Sequence, residues 1–123
     1  MKTIKILFAI MIAFISTQSV NAQTSKVGKT AAVKTQTIKV YGECGMCQSR
    51  IEKVASKVAG IRSARWDENT LLLTIKYDAT NATAVDDVQK KIASVGHDTE
   101  KYTATDAAYN KLPGCCHYER KKS

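Results

Sequence analysis

Cys44 and Cys47 stand three residues apart in the stretch Glu43-Cys44-Gly45-Met46-Cys47-Gln48-Ser49-Arg50-Ile51-Glu52. The pair falls where an extended segment turns into an amphipathic helix. Two thiols so placed have two common chemistries: they grip a soft metal ion, or they cycle between dithiol and disulfide. Free backbone N–H groups and the dipole of the first helical turn favour thiolates in either case. Thiolates prefer Cu(I), Hg(II), Zn(II) and Cd(II) to hard cations. Two ligands in a solvent-near loop make an open site, unlike the closed four-ligand sites of structural zinc, and such a site suits carrying an ion.

A second cluster, Cys115-Cys116-His117, follows Pro113-Gly114 near the C-terminus. Neighbouring Cα atoms are about 3.8 Å apart, short for ordinary disulfide geometry, so these cysteines read as ligands more readily than as a staple. They could fold back to enclose the metal or hold a second ion. The plainer reading is a disordered tail.

The elements that must position these groups follow from periodicity. Thr35 to Tyr41 alternates as a strand, and Cys47 to Ala59 carries Ile51, Val54, Ala55 and Val58 at helical spacing before Gly60. Ile61 to Trp66 alternates again, Asp67-Glu68-Asn69 reads as a turn, and Thr70 to Tyr77 is the strongest strand signal. A second helix is expected from Thr83 to Val95, stopped by Gly96, and a last strand from Thr99 to Thr105. The fold class is therefore α+β: a ferredoxin-like βαββαβ sandwich, a four-stranded antiparallel sheet with two helices on one face. Residues 106–123 read as too polar for another core element, a Cys-Cys-His containing basic tail.

The start of the chain predicts a destination. Lys2 and Lys5 precede an apolar run from Ile6 to Ile15, and Val20 and Ala22 are the small residues of a cleavage site, so residues 1–22 read as an export signal. The run is short for a membrane span, which needs about 20 residues. No stable membrane insertion is expected after cleavage, and the location is periplasmic or secreted. Cleavage would leave 101 of the 123 residues and lower the formal charge from +8 to +6 by removing Lys2 and Lys5. Residues 23–34 read as a flexible leader and 35–105 as one domain.

Within roughly residues 35 to 104, Cys44, Cys47, Ile51-Glu52, Gly60-Ile61, Tyr77-Asp78 and Gly96 fall where heavy-metal-associated domains carry their signature residues. The chain resembles that family, and within it the periplasmic mercury-binding proteins and exported copper chaperones. The resemblance implies that Cys44 and Cys47 bind the metal, Cu(I) or Hg(II) first, with Zn(II) or Cd(II) as alternatives. It also implies handover by thiol ligand exchange to a membrane metal transporter or another metal-binding domain. In this fold His97 lies in a loop beside the cysteines, as a third ligand, a tuning group or a solvated bystander. Glu43 stands where zinc- and cadmium-handling relatives often have an acid. Met46 is soft enough for Cu(I), although packing over the loop is its ordinary role. Tyr41-Gly42 replace the Gly-Met common in the family.

Other functions are weaker. A periplasmic thiol–disulfide oxidoreductase using Cys44 and Cys47 is the enzymatic alternative. The sole proline, Pro113, is far from the domain, whereas thioredoxin-like enzymes need one facing their active site. RNA-recognition domains share the strand order, but the open face expected here (Thr37, Lys39, Leu72, Thr74, Lys76) carries no aromatic pair for base stacking, so no nucleic-acid partner is expected. No hydrolytic constellation is present. The expectation is a non-enzymatic metal carrier, its ion and oligomeric state left open.

Overall fold

The computed structural model describes residues 32–122. The expected export signal (1–22) lies outside the described residues, as does the leader (23–34) except for its last three positions. Val33 and Lys34 already belong to the first strand.

Three strands form one antiparallel sheet: β1 (Val33–Lys39), β2 (Ile61–Asp67) and β3 (Leu72–Asp78), in the order β1-β3-β2. β3 takes the centre because TLLLTIKY can bury one face completely, and Leu73 and Ile75 are fully buried. On β2, buried Ala64 and Trp66 alternate with exposed Ser63, Arg65 and Asp67, the two-residue period of a half-covered sheet.

Helices α1 (Gly45–Ser56) and α2 (Ala84–Ser94) supply the second layer. α1 buries Cys47, Ile51 and Ala55, and α2 buries Ala84, Val88 and Ile92, each set repeating every four residues along one face. With Ile38, Val40, Trp66, Leu73 and Ile75 these side chains make the core. Cys47 belongs to that core, so the rigid part of the molecule reaches directly to one of the two motif thiols.

The expected fourth strand is not formed, and the four-stranded sheet is corrected to three strands. Thr99 makes a single bridge to Val40, with Tyr41 N donating to Asp98 O at 2.9 Å and Glu100 N to Lys39 O at 3.0 Å. The chain then turns, Thr99 N donating to Tyr102 O at 2.7 Å. Lys101 N goes to Gln89 Oε1 at 3.0 Å, the Tyr102 hydroxyl to Asp86 Oδ2 at 2.8 Å, and Ala104 N to Asp98 Oδ1 at 2.8 Å. Donors that a strand would spend along β1 are spent on α2 and on Asp98.

The polar C-terminal segment also departs from expectation, because it contributes to the core. A short helix α3 (Asp106–Asn110) is capped by the Thr105 hydroxyl, which accepts from Ala108 N at 3.1 Å. A 3₁₀ turn follows at Gly114–Cys116, and Leu112, Cys116 and Tyr118 are buried. Gly96, at φ +108°, admits this segment: a Cβ there would stand 2.7 Å from Ala108 O. The Tyr118 hydroxyl accepts from Asp98 N at 2.8 Å and donates to Gly96 O at 2.7 Å, tying the segment to the loop after α2.

Candidate metal centre

Cys44 is the N-cap of α1, extended at φ −143° and ψ 179°, and its carbonyl accepts from Gln48 N at 3.0 Å. Its side chain is thereby set among the open N–H groups of the first turn. The Cys47 N–H lowers the Cys44 thiol from 9.0 to about 7; burial opposes this, and the Met46 N–H and the Cys47 and Cys115 thiols add to it. Cys44 is therefore the natural thiolate of the group.

Cys47 is fully buried, with its Sγ 3.9 Å from Cys44 Sγ. The loop before it is held from beneath by Trp66, whose indole N–H donates to Val40 O at 3.0 Å. Gly42 makes room for the ring, since a Cβ there would lie 2.9 Å from Trp66 Cζ2 and 3.2 Å from Cys47 Cβ. Trp66 therefore supports the loop. Glu52 fixes α1 against β2, its Oε1 accepting from Trp66 N and Gln48 Nε2, both at 3.0 Å.

The C-terminal cysteines arrive at the same place. Cys116 is fully buried, its Sγ 3.9 Å from Cys44 Sγ and 3.5 Å from Arg50 Nη1. Burial, followed by hydrogen bonding to Cys47, pushes its thiol up to about 12, with Arg50 opposing. Cys115 is exposed, and its thiol contacts Met46 Sδ at 3.4 Å. The sulfurs of Cys44, Cys115 and Cys116 all lie within 4.8 Å of one another, and all four cysteines are free thiols. Cys47 Sγ is outside that group of three but 3.9 Å from Cys44 Sγ, so the four cysteines and the Met46 thioether gather around the N-terminus of α1.

The remaining candidates divide differently. Met46 is 54% exposed, so it does not pack over the loop as its ordinary role would require; it lies at the thiol rim. His97 is neither solvated nor part of the three-sulfur group. It is fully buried, stacked on Tyr118 at 5.3 Å between centroids, with Nδ1 2.8 Å from Tyr41 O. Its Nε2 has no hydrogen-bond partner among the described residues, and burial lowers its pKa, which favours the neutral ring. His117 stacks on Tyr109 at 5.0 Å, apart from its two cysteine neighbours' cluster. Glu43 is exposed and outside the cluster.

Sequence reasoning missed the parts played by Trp66, Arg50 and Glu52. Trp66 alone had a readable signal, a lone tryptophan near the end of an alternating strand; its pairing with Gly42 shows only in the folded chain.

The sequence model of the Heavy-metal-associated domain matches residues 37–98. A copper-exporting P-type ATPase of Staphylococcus epidermidis is 31% identical over 103 residues, covering 81% of this chain and 13% of the relative. That of Staphylococcus saprophyticus is 36% identical over 76 residues, covering 61% and 9%. The chain thus spans only a small part of these curated relatives. Among solved structures, oxidised MerP from Ralstonia metallidurans CH34 superposes with a TM-score of 0.52 at 26% identity, covering 56% of this chain and 96% of that one. A CopZ metallochaperone gives 0.50 at 25% identity, covering 54% and 98%.

Proposed function

Because the chain belongs to the heavy-metal-associated domain family, we propose that it binds a soft metal ion through Cys44 and Cys47 and hands it on by thiol exchange. The observation that carries this reading is the pair of sulfurs 3.9 Å apart at the start of α1, one on the rigid core and one accessible. The cargo is Cu(I) or Hg(II) first, the ions most satisfied by few soft ligands, with Zn(II) or Cd(II) as alternatives. Similarity to copper-exporting ATPases, a metallochaperone and MerP supports this class of cargo. In the handover, an incoming thiolate binds the ion to form a three-coordinate bridge, the Cys44 bond breaks, and a second partner thiolate then displaces Cys47, so the ion passes over without ever being free. The partner is a membrane metal transporter or another metal-binding domain. The reading is non-enzymatic, and export by residues 1–22 would place the protein in the periplasm or outside the cell.

Anaerobic competition titration of the reduced protein with Cu(I), Hg(II) and Zn(II) tests the proposal. One tightly bound ion per chain is expected, with tight binding lost in the Cys44→Ser/Cys47→Ser double variant. Tight binding that survives in that variant moves the site elsewhere. Insulin reduction at catalytic rates would instead identify a thiol–disulfide oxidoreductase.

A further inference from the structure

We propose that Cys116, with Cys115 beside it at the rim, completes the Cys44/Cys47 site, so that the ion is held by three or more thiolates from opposite ends of the domain. This rests on the reading that Cys44 and Cys47 bind the ion. At the zinc–thiolate distance of about 2.3 Å, sulfurs stand about 4.6 Å apart across a linear ion, about 4.0 Å around a trigonal one and about 3.8 Å around a tetrahedral one. Cys44 Sγ stands 3.9 Å from both Cys47 Sγ and Cys116 Sγ. Both spacings fit three or four ligands and are too short for two sulfurs opposed across the ion.

Cys116 is not a chance visitor to the site. Its backbone N–H donates to Pro113 O at 2.8 Å, its carbonyl accepts from Tyr118 N at 2.8 Å, and its side chain is fully buried. Tyr118 and Arg120 beyond it are anchored to Asp98. The third sulfur is therefore delivered by a folded segment and needs no ordering when the ion arrives. Charge favours the arrangement as well. Three thiolates around a monovalent ion leave a net negative site, and Arg50 Nη1, 3.5 Å from Cys116 Sγ, supplies the opposing charge. Cys115 is exposed and touches Met46 Sδ at 3.4 Å, where a partner's thiol would approach. Such a site holds more tightly than a two-thiol carrier and favours Cd(II) or trigonal Cu(I) over a linear ion.

X-ray absorption spectroscopy of the reduced wild-type chain loaded with one equivalent of Cu(I) counts the bound sulfurs without any substitution. Three or more are expected; two would overturn the proposal while leaving the Cys44/Cys47 reading intact. Failure of that reading shows separately, as tight binding retained in Cys44→Ser/Cys47→Ser. In the second arm, Cys116→Ala is compared with wild type by Cd(II) competition. Loss of more than about 100-fold in Cd(II) affinity is expected, beyond the range that losing an outer-shell partner costs. Unchanged affinity in folded protein, checked by the near-ultraviolet signal of Trp66, overturns the proposal. Should Cys116→Ala fail to fold, the wild-type sulfur count decides alone.

Discussion

Arg120 grips the fully buried carboxylate of Asp98 with two nitrogens, Nε at 3.1 Å from Oδ2 and Nη2 at 2.9 Å from Oδ1. Asp98 lies in the loop after α2, and Arg120 lies beyond the last buried residue of the C-terminal segment, so the pair latches one to the other. Removing the guanidinium in Arg120→Ala strands a buried charge. The loss is expected at about 3 kcal/mol, the low end for a broken buried pair, because Ala104 N and Lys121 N still donate to Asp98. Urea unfolding of the two proteins measures it as a lower midpoint.

The same latch sets an acid limit. Burial pushes the Asp98 carboxyl up, but Arg120 and the N–H groups of Ala104 and Lys121 together outweigh it and hold it below the usual 3.8. A carboxyl whose folded value is depressed contributes stability that is fully present above its unfolded value and lost as pH falls through the folded one. The Asp98 contribution to the urea midpoint should therefore be constant above about pH 5 and be lost below about pH 4, apart from the earlier decline that buried, neutral His97 imposes as pH falls below 6.5. Arg120→Ala should flatten that decline.

Cys44 and Cys116 should differ sharply toward alkylating agents in the reduced, metal-free protein. With the Cys44 thiol at about 7 and the Cys116 thiol pushed up to about 12, iodoacetamide at neutral pH should modify Cys44 first. The Cys44 rate should climb through the neutral range as its thiolate fraction grows, and Cys116 should stay protected until the protein unfolds. Peptide mapping after timed quenching gives both rates.

Gly42→Ala probes the support beneath the metal loop. The added methyl would meet Trp66 Cζ2 at 2.9 Å and Cys47 Cβ at 3.2 Å, so the indole or the cysteine must shift. Overpacking of this kind costs about 1–3 kcal/mol. A blue or red shift of Trp66 emission, with a lowered urea midpoint and weaker Cu(I) binding, is the expected signature. Unchanged emission would mean that the ring does not carry the loop.

What could be read from the sequence was local. The Cys44/Cys47 spacing, the two helices and the three formed strands all rest on short-range period and punctuation, and each appears within a few residues of its expected place. Thr99 to Thr105 misled because it alternates, yet Gln89 on α2 and the Asp98 carboxylate take the backbone donors of Lys101 and Ala104. Nothing in the local pattern announces those distant acceptors. The C-terminal segment misled for the opposite reason. Its polar residues are satisfied inside the fold, Tyr118 by Asp98 N and Gly96 O and Arg120 by Asp98, so polarity did not mean solvent. The loop position of His97 points to the metal or to solvent, whereas Tyr118 stacks over the ring and closes it off.

Cys44 and Cys116 are 72 positions apart in the chain. An ion held between them would close that stretch into a ring, a removable clasp whose effect on the unfolded chain resembles that of a long-loop disulfide. Cargo occupancy would then double as a stability switch: loaded protein resists heat and C-terminal trimming, and delivery releases the clasp.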